Sequence, residues 1–174
     1  MEAISVRREL PGGASGIHHN HRKAFGQQAE ADLATALLES GDYDPALSLV
    51  AVRDRIPFGH ILFPYNRIET GAGDLPAPAL APVAVLPGFR RQGIGSAYIR
   101  RGPAEGRCLG HRIVIIVGHP VYYSRFGFSS AWRMGLTAPF PVPDEALLAP
   151  ELVPGALRGV SGTVRYPAPF DVLV

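Results

Sequence analysis

The stretch ISVRRE at 4–9 carries the pattern of a first β-strand. From there the spacing becomes helical: one helix is expected over about 15–25 and a second over about 28–40. In the second, Ala29, Leu33, Ala36 and Leu37 recur on one side, and Gly41 supplies a stop. ALSLVAVRD (46–54) and PFGHILFPYNRIE (57–69) read as an antiparallel pair joined by a polar turn at Arg53–Ile56, and TGAGDLPAP (70–78) as a loop. ALAPVAVL (79–86) is a strand interrupted by Pro82, which withholds an amide from the ladder and therefore belongs at an edge, a bulge or a place where strands part.

A helix follows from about Gly93 to Leu109, with Ile94, Ala97, Tyr98, Arg101, Glu105 and Cys108 on one face. Pro103 inside it should cost a helical bond and kink it. RIVIIVG (112–118) is apolar throughout, as in a strand covered on both faces. Strand, helix and strand together predict a right-handed βαβ crossover. PVYYSRF (120–126) starts on a proline suited to the first helical position and ends at Gly127, a natural C-terminal cap. Beyond Trp132 the chain is proline-rich, with GTVRY (162–166) as the clearest late strand. No repeat or second domain is evident, so residues 1–174 are expected to form one domain with a mixed α/β (α+β) fold.

Composition narrows this further. A chain of 174 residues, 47% hydrophobic and 18% charged, is long enough for a substantial core. The lone Cys108 rules out an internal disulfide and a cysteine metal cage. The chain holds no apolar run of membrane-spanning length and no secretory pattern at its start, which sets the expectation of a cytoplasmic protein with no membrane partner. The net charge of +2 is too small to suggest nucleic acid, but its placement is uneven. Arg90, Arg91, Arg100, Arg101, Arg107 and Arg112 stand against Glu105 alone over 90–112, which suits a compact polyanion better than a long nucleic-acid track.

That cluster flanks VAVLPGFRRQGIGSAYIRR (83–101), a glycine-rich turn between a strand and a helix. The first amides of a helix lack intrahelical acceptors and carry the positive end of its dipole, so the turn is shaped for pyrophosphate. Gly93 and Gly95 clear the approach, and Arg90 and Arg91 add charge-assisted hydrogen bonds. A dinucleotide fold would want a third glycine where Tyr98 stands and an acid near Ile115. A P-loop would want Lys-Ser/Thr, and the only lysine is Lys23.

Arg90-x-x-Gly93-x-Gly95, together with YYSRFGF (122–128) after an apolar strand, resembles the paired signatures of the GNAT-type N-acetyltransferases. GHILF, LAPVAVLP and GHP-YYSRFGF further resemble a bacterial branch of predicted acetyltransferases. The resemblance covers essentially the whole chain. It implies a mostly antiparallel sheet of six to seven strands, with one splayed parallel pair and helices on both faces. Acetyl-CoA would enter the splay as cosubstrate, with no metal. Backbone groups of Val83 and Val85 would pair with the pantetheine arm. The amides of Arg91, Gln92, Gly93, Ile94, Gly95 and Ser96 would hold the pyrophosphate, with Arg90, Arg91 and Arg100 assisting. The Val85 amide would stabilise the oxyanion, and Tyr123 would protonate the departing thiolate. The resemblance thus implies direct acetyl transfer to a primary amine on a small molecule or peptide, by a monomer or homodimer. The alternative is a non-catalytic acyl-CoA-binding module of the same fold.

Other residues carry weaker signals. Cys108 is expected to be a buried structural thiol. HHNH (18–21) is expected to lie on a solvated helix surface, and His60 to pack at the sheet. Glu30, Asp32, Glu69 and Asp74 fall in segments that line the amine side of the family, and each reads first as a surface acid. His119 stands where close relatives would carry an acid, and either faces the coenzyme or caps the last helix. Trp132 and TAPFPVPDEALL (137–148) either shape the acceptor pocket or form a dimer contact.

Overall fold

The computed structural model describes residues 4–11, 14–25, 28–128 and 130–173. Strand β1 (Ser5–Arg8) leads into helices α1 (Ala14–Phe25) and α2 (Gln28–Ser40), then strands β2 (Tyr43–Arg53), β3 (Ile56–Pro64), β4 (Arg67–Thr70), β5 (Gly73–Pro76) and β6 (Val83–Val85). Helix α3 (Ile94–Cys108), strand β7 (Ile116–Val117) and helix α4 (Pro120–Ser124) follow, then β8 (Leu136–Thr137), β9 (Leu147–Leu148) and β10 (Gly162–Arg165). Strand pairing gives three groups, β1-β2-β3-β6, β5-β4-β10-β8 and β7-β9, antiparallel except for β10 with β8. A parallel bridge between Ala79 and Ile115 joins the first and last groups. No described helix is long and apolar enough to cross a membrane.

The helices are placed by what they bury. Ile17 of α1 and Ala34 of α2 pack on Val50 and Val52, and Leu33 and Leu37 pack on Leu62, so both helices cover one face of β2 and β3. On the other face Ile94, Tyr98 and Ile99 of α3 pack with Leu49, Ile61, Val114 and Ile116. A third cluster holds Ile68, Ile113, Ile115, Leu136 and Val164. Burying apolar side chains of this size stabilises by roughly 1.5–3 kcal/mol each.

Several expectations change at this level. The run 57–69 is divided: β3 ends at Pro64, Asn66 is buried, and β4 begins a different group. The expected loop 70–78 contains β5, which completes a hairpin with β4 reinforced by Arg67 Nε on Asp74 Oδ2 at 2.8 Å. Its polar, glycine-rich sequence gave no strand period. The β2–β3 turn lies where expected, with Asp54 and Arg55 both at positive φ (52° and 66°), the backbone of a tight two-residue hairpin. The segment 112–118 is buried over Ile113–Ile116, yet only Ile116–Val117 pair as a strand, with β9.

Helix α3 corrects the expected face. It runs from Ile94 to Cys108 with Pro103 inside it, and it buries Ile94, Tyr98, Ile99, Gly102, Pro103 and Gly106. A Cβ on Gly102 would collide with the Phe63 ring, so the helix lies close to β3 through its smallest residues. This rotation leaves Cys108 exposed at the helix end rather than buried.

Candidate active site

The segments leading into β6 and β7 meet at one point, and the strands then part. The Leu80 amide donates to the Ile115 carbonyl at 2.8 Å, and the Ile115 amide to the Pro78 carbonyl at 2.9 Å. Beyond this, β6 pairs with β3 and β7 with β9. Flanking β6, the Leu86 amide donates to Phe58 O at 2.9 Å, and Pro82 O accepts from the Leu62 amide at 3.2 Å. Backbone polar groups alternate sides along a strand. The N–H and C=O of Val83 and Val85 therefore point away from β3, toward the gap. The peptide bond before Pro82 is cis.

A cavity of about 620 Å³ adjoins this edge, lined by Val83, Val85, Phe89, Arg90, Arg91, Gly93, Ile94, Gly95, Ser96, Tyr122 and Arg125. The turn from β6 to α3 forms its wall. Arg91 (φ 63°) and Gly93 (φ 81°) take left-handed backbone there, and the first bond of α3 runs from the Ala97 amide to Gly93 O at 3.0 Å. The amides before Ala97 thus have no intrahelical acceptor. A Cβ on Gly93 would meet nothing within 4 Å, whereas one on Gly95 would stand 3.0 Å from the Tyr122 hydroxyl. Gly93 keeps the cavity open, and Gly95 makes room for an aromatic wall.

Eight of the sequence-based binding residues line this cavity: Val83, Val85, Arg90, Arg91, Gly93, Ile94, Gly95 and Ser96. Gln92 does not. Its amide nitrogen donates to Gly88 O at 3.3 Å and its oxygen accepts from Arg53 at 3.0 Å, bracing the turn from behind. The same Arg53 guanidinium lies over the Phe89 ring at 5.3 Å, and Phe89 stacks on Phe58 at 4.2 Å. Arg90 Nε donates to Val85 O at 3.2 Å. The sequence reading assigned no cavity role to Tyr122 or Arg125, whose guanidinium sits 5.3 Å from the Tyr122 ring. Their signal was present in the same aromatic–basic–Gly-Phe stretch. Arg100 stands 5.8 Å from the Phe126 ring and lines a different depression.

Tyr123 sits behind that wall. It is half-buried, meets Tyr122 edge-to-face at 5.1 Å, and packs so closely on Gly118 that a Cβ there would overlap its ring. Gly118 ends the apolar strand on the far side of the gap. Burial, and secondarily the Tyr122 hydroxyl, raise the Tyr123 pKa above that of an ordinary phenol, keeping it protonated. His119 is exposed; its carbonyl accepts the amides of Tyr122 (3.1 Å) and Tyr123 (3.2 Å), while its side chain makes no cap.

The remaining candidates are accounted for by other contacts. His21 is fully buried rather than solvated, because α1 packs on β3. His21 Nε2 and His60 Nδ1 are 2.9 Å apart, His60 Nε2 lies 2.9 Å from Ser48 Oγ, and Ser48 Oγ donates to Glu9. His18 lies 3.4 Å from Asp32, which also accepts from Gln28. Glu69 pairs with Arg165 at 3.3 Å and Asp74 with Arg67. The Glu30 side chain lies outside the described residues. Among the described residues no three His, Cys, Asp or Glu side chains are grouped to hold a metal ion.

No protein-family model matches the chain. Comparison with solved structures defines its class. A GNAT acetyltransferase from Brucella melitensis, solved with acetyl-CoA, superposes with a TM-score of 0.79 at 30% identity, covering 98% of this chain and 100% of that one. The chain belongs to the GNAT family of N-acetyltransferases. More particularly, it is similar to two uncharacterised N-acetyltransferases of Escherichia coli. With YjhQ it shares 40% identity over 136 residues, 76% of this chain and 74% of the relative. With YhbS it shares 33% over 167 residues, 95% and 98% of the two chains. The YhbS structure, solved in complex with CoA, superposes with a TM-score of 0.89 at 32% identity, covering 98% of this chain and 94% of that one.

Proposed function

We propose that residues 1–174 act as one acetyltransferase domain that moves the acetyl group of acetyl-CoA directly to a primary amine. The carrying observation is the parting of β6 from β7 beside a cavity that ends on the open N-terminus of α3. The outward backbone groups of Val83 and Val85 hold the pantetheine arm as a further strand would. The pyrophosphate takes the amides of residues 91–96, with charge from Arg90, Arg91 and Arg125. Both relatives solved with CoA or acetyl-CoA support this ligand.

In the transfer, the lone pair of the neutral amine forms a C–N bond to the thioester carbonyl carbon. The oxyanion that develops is met by the Val85 amide. The C–S bond then breaks, the nitrogen gives up a proton to water, and the leaving sulfur takes one from Tyr123, which solvent then reprotonates; its raised pKa keeps the phenol protonated until that point.

Thermal melting with excess acetyl-CoA tests the ligand without an acceptor. Ligand at about 100 times its dissociation constant adds about 2.7 kcal/mol, roughly 5–10 °C for a domain of this size. A shift with acetyl-CoA and none with NAD or ATP is expected. No shift at millimolar acetyl-CoA would sink the reading.

A further inference from the structure

A second cavity, of about 730 Å³, lies across the sheet from the first, lined by Ala81, Val117, Pro139, Phe140, Pro141, Arg165, Tyr166, Phe170 and Asp171. Its position follows from strand alternation. Val114 and Ile116 face α3, so Val117 faces the other side, with Ile113, Ile115 and the β10 residue Val164. Ala81 precedes the first cleft residue of β6 by two positions, and Val117 adjoins the glycine that seats Tyr123. The two cavities therefore approach the β6–β7 gap from opposite faces.

The lining is chemically divided. Phe140, Tyr166 and Phe170 form a continuous aromatic run, with centroids 5.5 Å and 4.8 Å apart, and Pro139 and Pro141 extend the apolar wall. Tyr166 is held neutral, because burial raises its pKa above the ordinary phenol value. Two charged residues line the space. Arg165 is neutralised by Glu69 at 3.3 Å, while the exposed Asp171 makes no ion pair or side-chain hydrogen bond with the described residues.

Resting on the acetyl-transfer reading, we propose that this cavity is the acceptor pocket and that it takes a primary amine joined through an apolar spacer to a second cationic group. The reacting nitrogen must reach the gap at Ala81 and Val117, and it must be neutral to attack. The spacer lies along the aromatic and proline wall, and the second cation, unchanged by the reaction, meets Asp171 and the aromatic faces. An anionic group in that position would meet an uncompensated carboxylate.

Three acceptors of similar length decide this by thiol release from acetyl-CoA: 1,5-diaminopentane, pentylamine and 6-aminohexanoate. The diamine is expected to exceed pentylamine in kcat/KM by roughly fivefold to tenfold, the combined size of an exposed ion pair and a cation–π contact, with the acid poorest. Asp171→Asn should bring the diamine down to pentylamine, mainly through KM, and Asp171→Lys should favour 6-aminohexanoate. Asp171 is exposed, so both variants should fold. A diamine-to-pentylamine ratio unchanged in Asp171→Asn, or a preference of the native protein for the acid, overturns the proposal. Calorimetric titration with 1,5-diaminopentane reads the pocket without turnover. Absent binding while acetyl-CoA still raises Tm overturns the pocket and leaves acetyl transfer standing. Diamine binding sensitive to Asp171→Asn, with no acetyl-CoA shift, would uphold the pocket as a diamine site and overturn the transfer reading.

Discussion

Tyr123 and Gly118 form a pair in which a missing side chain on one residue decides where the other stands. Because the Tyr123 ring occupies the volume a Cβ on residue 118 would need, Gly118→Ala should displace the phenol and lower kcat. Tyr123→Phe keeps the ring and removes only the proton donor. It should depress kcat strongly and leave the acetyl-CoA Kd nearly unchanged, as separate turnover and binding measurements will show. Since the Tyr123 pKa is raised, kcat in the native protein should hold into the alkaline range and fall only as that phenol loses its proton. The Phe variant should lack this limb. Gly93→Val acts differently: its Cβ has open space, so it projects into the cavity while straining a backbone at φ 81°. Loss of the acetyl-CoA melting shift is the expected result.

At the scale of elements, α1 is coupled to β3 by the buried His21–His60 contact. Burial, aided by the neighbouring His18, lowers the His21 pKa to about 4, and burial likewise lowers that of His60. Both are neutral in the folded chain, whereas unfolded histidine titrates near 6.5. The unfolded state therefore binds more protons as pH falls below about 6.5, and stability should decline from there down to about pH 4. Chemical denaturation across this range measures it, and His21→Asn should flatten the slope. Helix α3 is coupled to β3 by close approach instead. Gly102→Ala would push a methyl group into Phe63, which is fully buried and cannot retreat, so a loss of about 1–3 kcal/mol is expected despite the better helix propensity of alanine.

Across the whole molecule, charge is unevenly placed. Arg90, Arg91 and Arg125 line the cavity at the start of α3, while Arg101 and Arg8 share Glu105 on the surface. Much of the arginine excess of 90–112 thus lies away from the cleft. Binding of a polyphosphate there should weaken with ionic strength. Arg91→Ala should reduce that salt sensitivity and raise the acetyl-CoA Kd, whereas Arg101→Ala should change neither, as titrations at two salt concentrations will show.

The sequence by itself determined the main helices and the glycine turn that opens α3. Both are local: helical spacing over 28–40 and Arg90-x-x-Gly93-x-Gly95 at the start of a helix each state their own conformation. It also carried the likeness to the acetyltransferases, because the two signatures flank one crossover. Tertiary structure decided which faces are covered. His21 and Cys108 exchanged their expected places because the packing of α1 on β3, and of α3 through Gly102 on Phe63, sets helix rotation. The β4–β5 hairpin was hidden because TGAGDLPAP has turn chemistry and acquires a partner only in the fold. The proline-rich stretch was open as a pocket or a dimer contact, but its meeting with Tyr166, Phe170 and Asp171 was hidden. The residues of that cavity come from four separate segments, the stretch before β6, β7, the proline-rich stretch and the C-terminal segment from Arg165 to Asp171, and only packing against a common sheet brings them together.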